Sequence, residues 1–251
     1  MVTIHPDIVE EMHRVIEAAH EQGILLRVVG GLAFREQSAD HQRFFTREYP
    51  DIDFVVEKLE YSKIQAFFQS VGYLPNKQFN LLNGTRRQIY FDQEYGKKID
   101  VFVGDFEMCH KIPLKDRLHF DPITIPIAEL LLSKAQIVEL NRKDALDMTM
   151  LLLNNEVGVD DNKKINLNRI VELCVNDWGL YTTTAINLKK VQELIEKEEV
   201  GLSDDERNLL IERIKRIKRG LEEAEKPLAW KLRDRVGTRV RWYTEVEEVQ
   251  R

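Results

Sequence analysis

Asp51 and Asp53 stand one residue apart at the mouth of an apolar run formed by Ile52, Phe54, Val55 and Val56. Side chains alternate along a strand, so these two carboxylates share one face while Ile52 points into the core. Two such groups side by side repel unless a cation neutralises them. A third carboxylate, Asp100, lies in a later apolar run, Ile99-Asp100-Val101-Phe102-Val103. On a neighbouring strand it would complete an oxygen cage of the kind that holds Mg²⁺ together with the phosphates of a nucleotide. Upstream, Gly30-Gly31 closes another apolar strand and turns the chain.

These residues must be positioned by ordinary soluble architecture. The chain has 251 residues, 43% hydrophobic and 32% charged, with a formal net charge of −6. That length supports one large or two small domains. The charge gives no global attraction to nucleic acid, although local patches can act alone. Cys109 and Cys174 are far apart and read as reduced, buried thiols of a cytoplasmic protein. Met1 to Glu10 is polar, without a signal core, and no apolar run approaches the ~20 residues of a membrane span.

The periodicity predicts a helix over Pro6–His20 and a strand over Ile24–Val29, then a short helix at Leu32–Phe34. Gln37–Pro50 reads as a polar loop, Asp51–Val56 as a strand and Tyr61–Val71 as a helix. Three strands are expected at Tyr73–Leu82, Arg86–Phe91 and Lys98–Val103, with Asn83-Gly84 as a hairpin turn between the first two. Lys97-Lys98 reads as a solvated turn. After Pro126 helices dominate: Ile127–Asn141, Arg142–Asn154, Leu167–Val175, Thr184–Glu196 and Asp204–Glu225, with Gly158–Lys164 as a linker. Ser203 and Glu206 form a capping box for the last helix. The expected class is α/β (α+β): a mixed sheet flanked by helices over residues 1–122, then an all-helical region over 123–251, with a soft boundary at Asp121–Pro126.

The combination Val28-Val29-Gly30-Gly31, Asp51-Ile52-Asp53-Phe54 and Ile99-Asp100-Val101 resembles the nucleotidyltransferase superfamily, with its polymerase-beta-like fold. Glu129-Leu130-Leu131-Leu132-Ser133-Lys134 and Asn141-Arg142-Lys143-Asp144-Ala145-Leu146-Asp147 look like the helical segment of the branch that includes the AbiEii-type abortive-infection toxins and small bacterial nucleotidyltransferases. The resemblance covers roughly Ile24 to Leu153. It departs from the family pattern in the long gap between Gly31 and Asp51, filled by Arg43, Phe44, Phe45, Arg47 and Tyr49.

The resemblance implies that Asp51, Asp53 and Asp100 are catalytic and hold two Mg²⁺ ions. It places Gly30 and Gly31 at the phosphates, with Lys134 for the triphosphate and Lys143 or Asp144 completing the pocket. The implied reaction transfers a nucleoside monophosphate from an NTP, ATP among them, to an acceptor hydroxyl on a small molecule, a protein or RNA, releasing pyrophosphate. Each motif alone has a plainer reading: a turn for Gly-Gly, solvated acids for Asp-Ile-Asp, helix-surface charges for Lys134, Lys143, Asp144 and Asp147. His41, His110 and His119 lack metal-ligand spacing and read as structural.

Two alternatives stay open. One is a catalytically silent nucleotide-binding or regulatory module, part of a toxin–antitoxin pair. The other is an RNA-binding protein acting through the basic stretch Arg207–Arg241, with Trp230, Trp242 and Tyr243 in or just beyond it. Against the latter stands a long amphipathic helix with Leu209, Leu210, Ile214, Ile217 and Leu221 inward and the basic face solvated.

Overall fold

The computed structural model describes residues 4–44, 48–197 and 200–245. Arg47 and Phe45 therefore lie outside the described residues, as do the side chains of Arg43 and Phe44. The chain divides into two compact units. The first comprises Met1–Glu36, Gln42–Phe106 and Pro113–Pro126; the second comprises Gln37–His41, Glu107–Ile112 and Ile127–Arg251. The class is α/β, with a mixed sheet in the first unit and helices dominating the second.

The first unit is built on strands β1 (Leu26–Val29), β2 (Asp51–Val56), β3 (Leu74–Pro75), β4 (Arg87–Phe91) and β5 (Lys98–Val103). They lie in the order β1-β2-β5-β4-β3. Only the central β2–β5 pair is parallel; the others are antiparallel. Helices α1 (Ile8–Glu21), α2 (Gly30–Glu36), α3 (Tyr61–Ser70) and α4 (Lys77–Asn83) complete the unit. On α3 the apolar residues Ile64, Phe67 and Phe68 are buried, and Phe68 joins Phe54 of β2, Tyr73 and Tyr90 in one aromatic cluster. That packing fixes one face of β2 toward the core, so alternation turns Asp51 and Asp53 to the other face. The outer edge of β1 is covered by Ile123–Ile125, which pairs its backbone with Val28.

A buried carboxylate anchors α1. Glu11 is fully buried and accepts from Arg14 at 2.6 and 2.8 Å, from the Tyr73 hydroxyl at 2.8 Å and from the His5 amide at 2.9 Å. The Glu11 hydrogen bond holds Arg14 above its usual pKa, against the pull of burial. Burial, then the Glu11 charge, pushes the Tyr73 hydroxyl upward.

The expected strand over Tyr73–Leu82 is largely a helix. Only Leu74–Pro75 is strand; Asn76 caps α4 by accepting from the Phe79 amide. The reason is Asn80, whose side-chain amide bonds both the carbonyl and the amide of Ile89 on β4, at 3.2 and 2.7 Å. A helical side chain thus satisfies the backbone groups that a strand would have paired. Leu81 and Leu82 point to solvent, and Asn83-Gly84 ends a helix instead of turning a hairpin.

The second unit is mainly helical: α5 (Ile127–Ala135), α6 (Arg142–Asn154), α7 (Leu167–Asn176), α8 (Trp178–Glu196), α9 (Asp204–Glu223) and α10 (Leu228–Val236). Helix α5 stops at Ala135, short of the expected Asn141. There Asn187 donates to the carbonyls of Ala135 and Ile137 at 2.9 and 2.7 Å, replacing the next helical bonds. Arg213 of α9 does the same for Leu152 and Leu153 at the end of α6, at 2.6 and 2.8 Å. The Ser203–Glu206 capping box is present, and α9 buries Leu210, Ile214, Ile217 and Leu221. Leu209 is partly exposed, and the chain breaks at Ala224 before α10, so no single helix reaches Arg241. Both cysteines are free and buried. Burial pushes the Cys174 thiol up to about 12. No helix among the described residues is long and apolar enough to cross a membrane.

Candidate active site

The parallel pairing of β2 with β5 places Asp53 beside Asp100 and Asp51 beside Lys98. Residues in register on adjacent strands share a face, and so do i and i+2 along each strand. Asp51, Asp53, Lys98 and Asp100 therefore form a two-by-two block on one face of the central strands. One strand further, β4 pairs Arg87 with Phe102. This puts the guanidinium on the same face, diagonal to Asp100.

Arg87 grips Asp100 with two parallel hydrogen bonds: Nε donates to Oδ1 at 2.7 Å and an Nη donates to Oδ2. Such bidentate pairs are among the strongest a carboxylate makes. Asp100 is 1% exposed, so its charge depends on these partners. Lys98 Nζ lies 3.3 Å from Asp100 Oδ2 and 3.5 Å from Asp51 Oδ2, bridging the two. Burial opposes the Arg87 charge, but the Asp100 hydrogen bond and the charges of Asp100, Asp53 and Asp51 outweigh it and raise the pKa above the usual guanidinium value.

Gly30 begins α2 at φ +73°. A Cβ built on it would overlap Asp53 Oδ2 and come within 3.1 Å of Asp53 Cγ. Only glycine permits both this left-handed conformation and this approach of backbone to carboxylate. β1 itself pairs Val29 with Asp53, so the turn is fixed at that carboxylate by the sheet register. The long gap before Asp51 does not separate the glycine from the acids.

Lys134, Lys143 and Asp144 belong to the second unit. Lys134 Nζ is 2.6 Å from Asp144 Oδ1 and 3.9 Å from Asp147 Oδ2. Asp144 and Asp147 are buried, so they are not helix-surface charges, whereas Lys143 is exposed on α6. His41 hydrogen-bonds Asn154 and faces Glu206 at 3.3 Å, and His110 bonds Thr183 at 2.9 Å.

The expected solvated turn at Lys97-Lys98 is not solvated. Lys97 is buried, with its ammonium 4.3 Å from the Tyr95 ring centroid, and Lys98 is the bridge between the acids. Neither Lys98 nor Arg87 was among the expected site residues. The signal for Lys98 was present: it stands two residues before Asp100 and so shares its face. Arg87 had no such signal, because its place depends on the β4–β5 register.

The donor chemistry suits Mg²⁺, since three carboxylates offer only hard oxygen ligands. As arranged, both oxygens of Asp100 are bonded to Arg87. Among the described residues no three acid, His or Cys side chains converge as a ready metal-binding group. No family model matches this chain, and neither the curated proteins nor the solved structures contain a match to it.

Proposed function

We propose that the chain is a nucleotidyltransferase that moves a nucleoside monophosphate from an NTP to an acceptor hydroxyl. The observation that carries the reading is the β2–β5 register, which sets Asp53 beside Asp100 with Asp51 on the same face, while Gly30 presses backbone against Asp53. Asp51 and Asp53, the less enclosed pair, would hold Mg²⁺, with Asp100 as the third ligand. Bound there, Mg²⁺ would lower the pKa of an attacking hydroxyl and neutralise charge on phosphoryl oxygens. The backbone at Gly30-Gly31 would offer N–H groups to the phosphates beside the Asp53 carboxylate. Lys98, already between the two carboxylates, is a cation that a triphosphate can draw on.

The test is transfer of label from α-³²P-labelled NTPs to a panel of hydroxyl-bearing small molecules, proteins and RNA, beside melting with each NTP and Mg²⁺. Wild type should show a Mg²⁺-dependent rise in melting temperature with at least one NTP. Asp53→Ala should lose that rise and any transfer. Transfer retained by Asp53→Ala would end the assignment.

One observation favours a second reading. Asp100 is already fully ion-paired by Arg87, and a fixed internal cation makes a metal unnecessary for the stability of the acids. A catalytically silent nucleotide-binding module would use the same face without turnover. It predicts NTP stabilisation that persists in EDTA and no transfer to any acceptor.

A further inference from the structure

The second unit carries a cleft of about 500 Å³ between the start of α8 and α10. This volume falls in the range of about 300–1,000 Å³ usual for small-ligand sites. All three tryptophans of the chain, Trp178, Trp230 and Trp242, line it, together with Arg233. Trp178 is buried, whereas Trp230 and Trp242 are only half-buried, an uncommon placement for rings normally spent on the core.

The rings are held by specific contacts. Trp178 Nε1 donates to Asp234 at 2.7 Å, and the Arg233 guanidinium lies 4.3 Å over the Trp178 ring. Trp242 Nε1 donates to Thr183 at 3.0 Å. Trp230 meets Tyr181 edge-on, 5.0 Å between centroids. Arg233 is itself tied to the carbonyls of Gly237 and Val240, at 2.6 and 3.1 Å. The cleft is thus preorganised, not assembled from loose side chains.

Its electrostatic surroundings are one-sided. From Lys226 to Arg241 the cations are Lys226, Lys231, Arg233, Arg235, Arg239 and Arg241, against Asp234 alone, in a chain whose net charge is −6. Lys231, Arg235, Arg239 and Arg241 are exposed, and of these Arg241 is ion-paired with Glu245 at 2.6 Å. The two acids at the cleft are already engaged: Asp234 with Trp178, and Asp177 as the cap that accepts from the Leu180 amide at 3.0 Å. Helix α10 buries none of its residues; Arg233 and Asp234 hold Trp178, and Lys231 and Arg235 stand exposed beside them. The basic residues of α9 differ, because that helix buries an apolar stripe and Arg207 and Arg213 on it are spent on backbone carbonyls of the same unit.

Stacking rings beside exposed cations match a polymer whose repeating unit is a flat base and an anionic phosphate. We infer that the cleft between α8 and α10 binds single-stranded polynucleotide, with a base entering among the tryptophans and flanking phosphates on Lys231, Arg235 and Arg239. An acidic peptide would satisfy the cations but leave the rings unused. A duplex would satisfy the cations but keep its bases stacked out of reach. The inference does not depend on the transferase reading.

Because every tryptophan of the chain lines the cleft, tryptophan fluorescence, excited selectively over tyrosine, reports on it alone. The experiment is titration of the full chain with ten-nucleotide single strands of RNA and of DNA, with the matching duplex, with polyglutamate and with anionic phosphatidylserine vesicles. Saturable quenching by a single strand is expected, with affinity falling as salt rises, by about 0.7 in log–log slope for each phosphate engaged. The comparison of RNA with DNA identifies which strand is preferred. Lys231→Ala/Arg235→Ala, both exposed, should flatten that slope while leaving the melting temperature unchanged. Trp230→Leu should weaken binding roughly 5- to 100-fold with the slope retained, as loss of one stacked base requires. Absence of quenching by any single strand would overturn the inference. So would equal binding of duplex, polyglutamate or vesicles, or an unchanged affinity in Trp230→Leu.

Discussion

Replacing Arg87 by methionine removes the charge but keeps much of the stem. Asp100, 1% exposed, then loses its two-point partner. Breaking a buried pair from one side costs about 3–5 kcal/mol. The low end applies because Lys98 Nζ remains 3.3 Å from Oδ2. About 3 kcal/mol corresponds to a fall of roughly 6–12 °C in melting temperature for a chain of this size. Arg87→Met/Asp100→Asn removes both charges and should recover to within about 1 kcal/mol of wild type. The variant also exposes the acids to metal. With a Kd of about 1 mM, about 10 mM Mg²⁺ would stabilise it by about 1.4 kcal/mol. The assay is far-UV circular dichroism melting at pH 8, with and without Mg²⁺. Tryptophan fluorescence, confined to the second unit, shows whether that unit melts with the first. A variant that melts within about 2 °C of wild type at pH 8, with no response to Mg²⁺, would refute the view that Arg87 neutralises this face.

Two further variants test other parts of the structure. Gly30→Ala combines a left-handed φ, worth about 1–2 kcal/mol for an L residue, with overlap on Asp53 Oδ2. It should lower the melting temperature and, by displacing the carboxylate, abolish Mg²⁺-dependent NTP stabilisation; a normal nucleotide response would show that Gly30 is only a turn. His110 is buried against Thr183, and desolvation lowers its pKa against the opposing pull of Asp177. The unfolded chain therefore binds a proton near pH 6.5 that the folded chain refuses, and stability falls as pH drops below 6.5, by at most about 1.4 kcal/mol per pH unit from this group. His110→Gln should flatten that acid limb in melting curves from pH 7 to pH 5, and an unchanged slope would count against it.

The strands that carry the acids were legible because each is an apolar run with a polar residue of fixed phase. Asp51–Val56 and Lys98–Val103 have the bounds expected from alternation alone. So was the capping box at Ser203, which is a local hydrogen-bond pattern. The failures share a different origin. The helix over Lys77–Asn83 rests on Asn80 bonding the backbone of Ile89, a contact between residues nine apart that no local period encodes. The end of α5 rests on Asn187, more than fifty residues downstream. Lys98 was misread for another reason: it was weighed as one of two adjacent lysines, when its face was already fixed by its distance from Asp100.

The placement of Lys98 and Arg87 has a consequence for how this face could work. Three carboxylates within one block of adjacent strands cannot all stay ionised in the fold without positive charge nearby. Lys98 and Arg87 supply two charges against three, leaving the block short by one. A divalent cation held by Asp51 and Asp53 would overturn that balance, and the excess would favour an anionic triphosphate. Arg87 and Lys98 would then have the ligand's phosphates as partners. On this reasoning Mg²⁺ and NTP should stabilise the chain together by more than the sum of their separate effects. A silent module has no such need, and there the two should act independently. A four-way comparison of melting temperatures (neither ligand, each alone, both) therefore separates the two readings without knowledge of the acceptor.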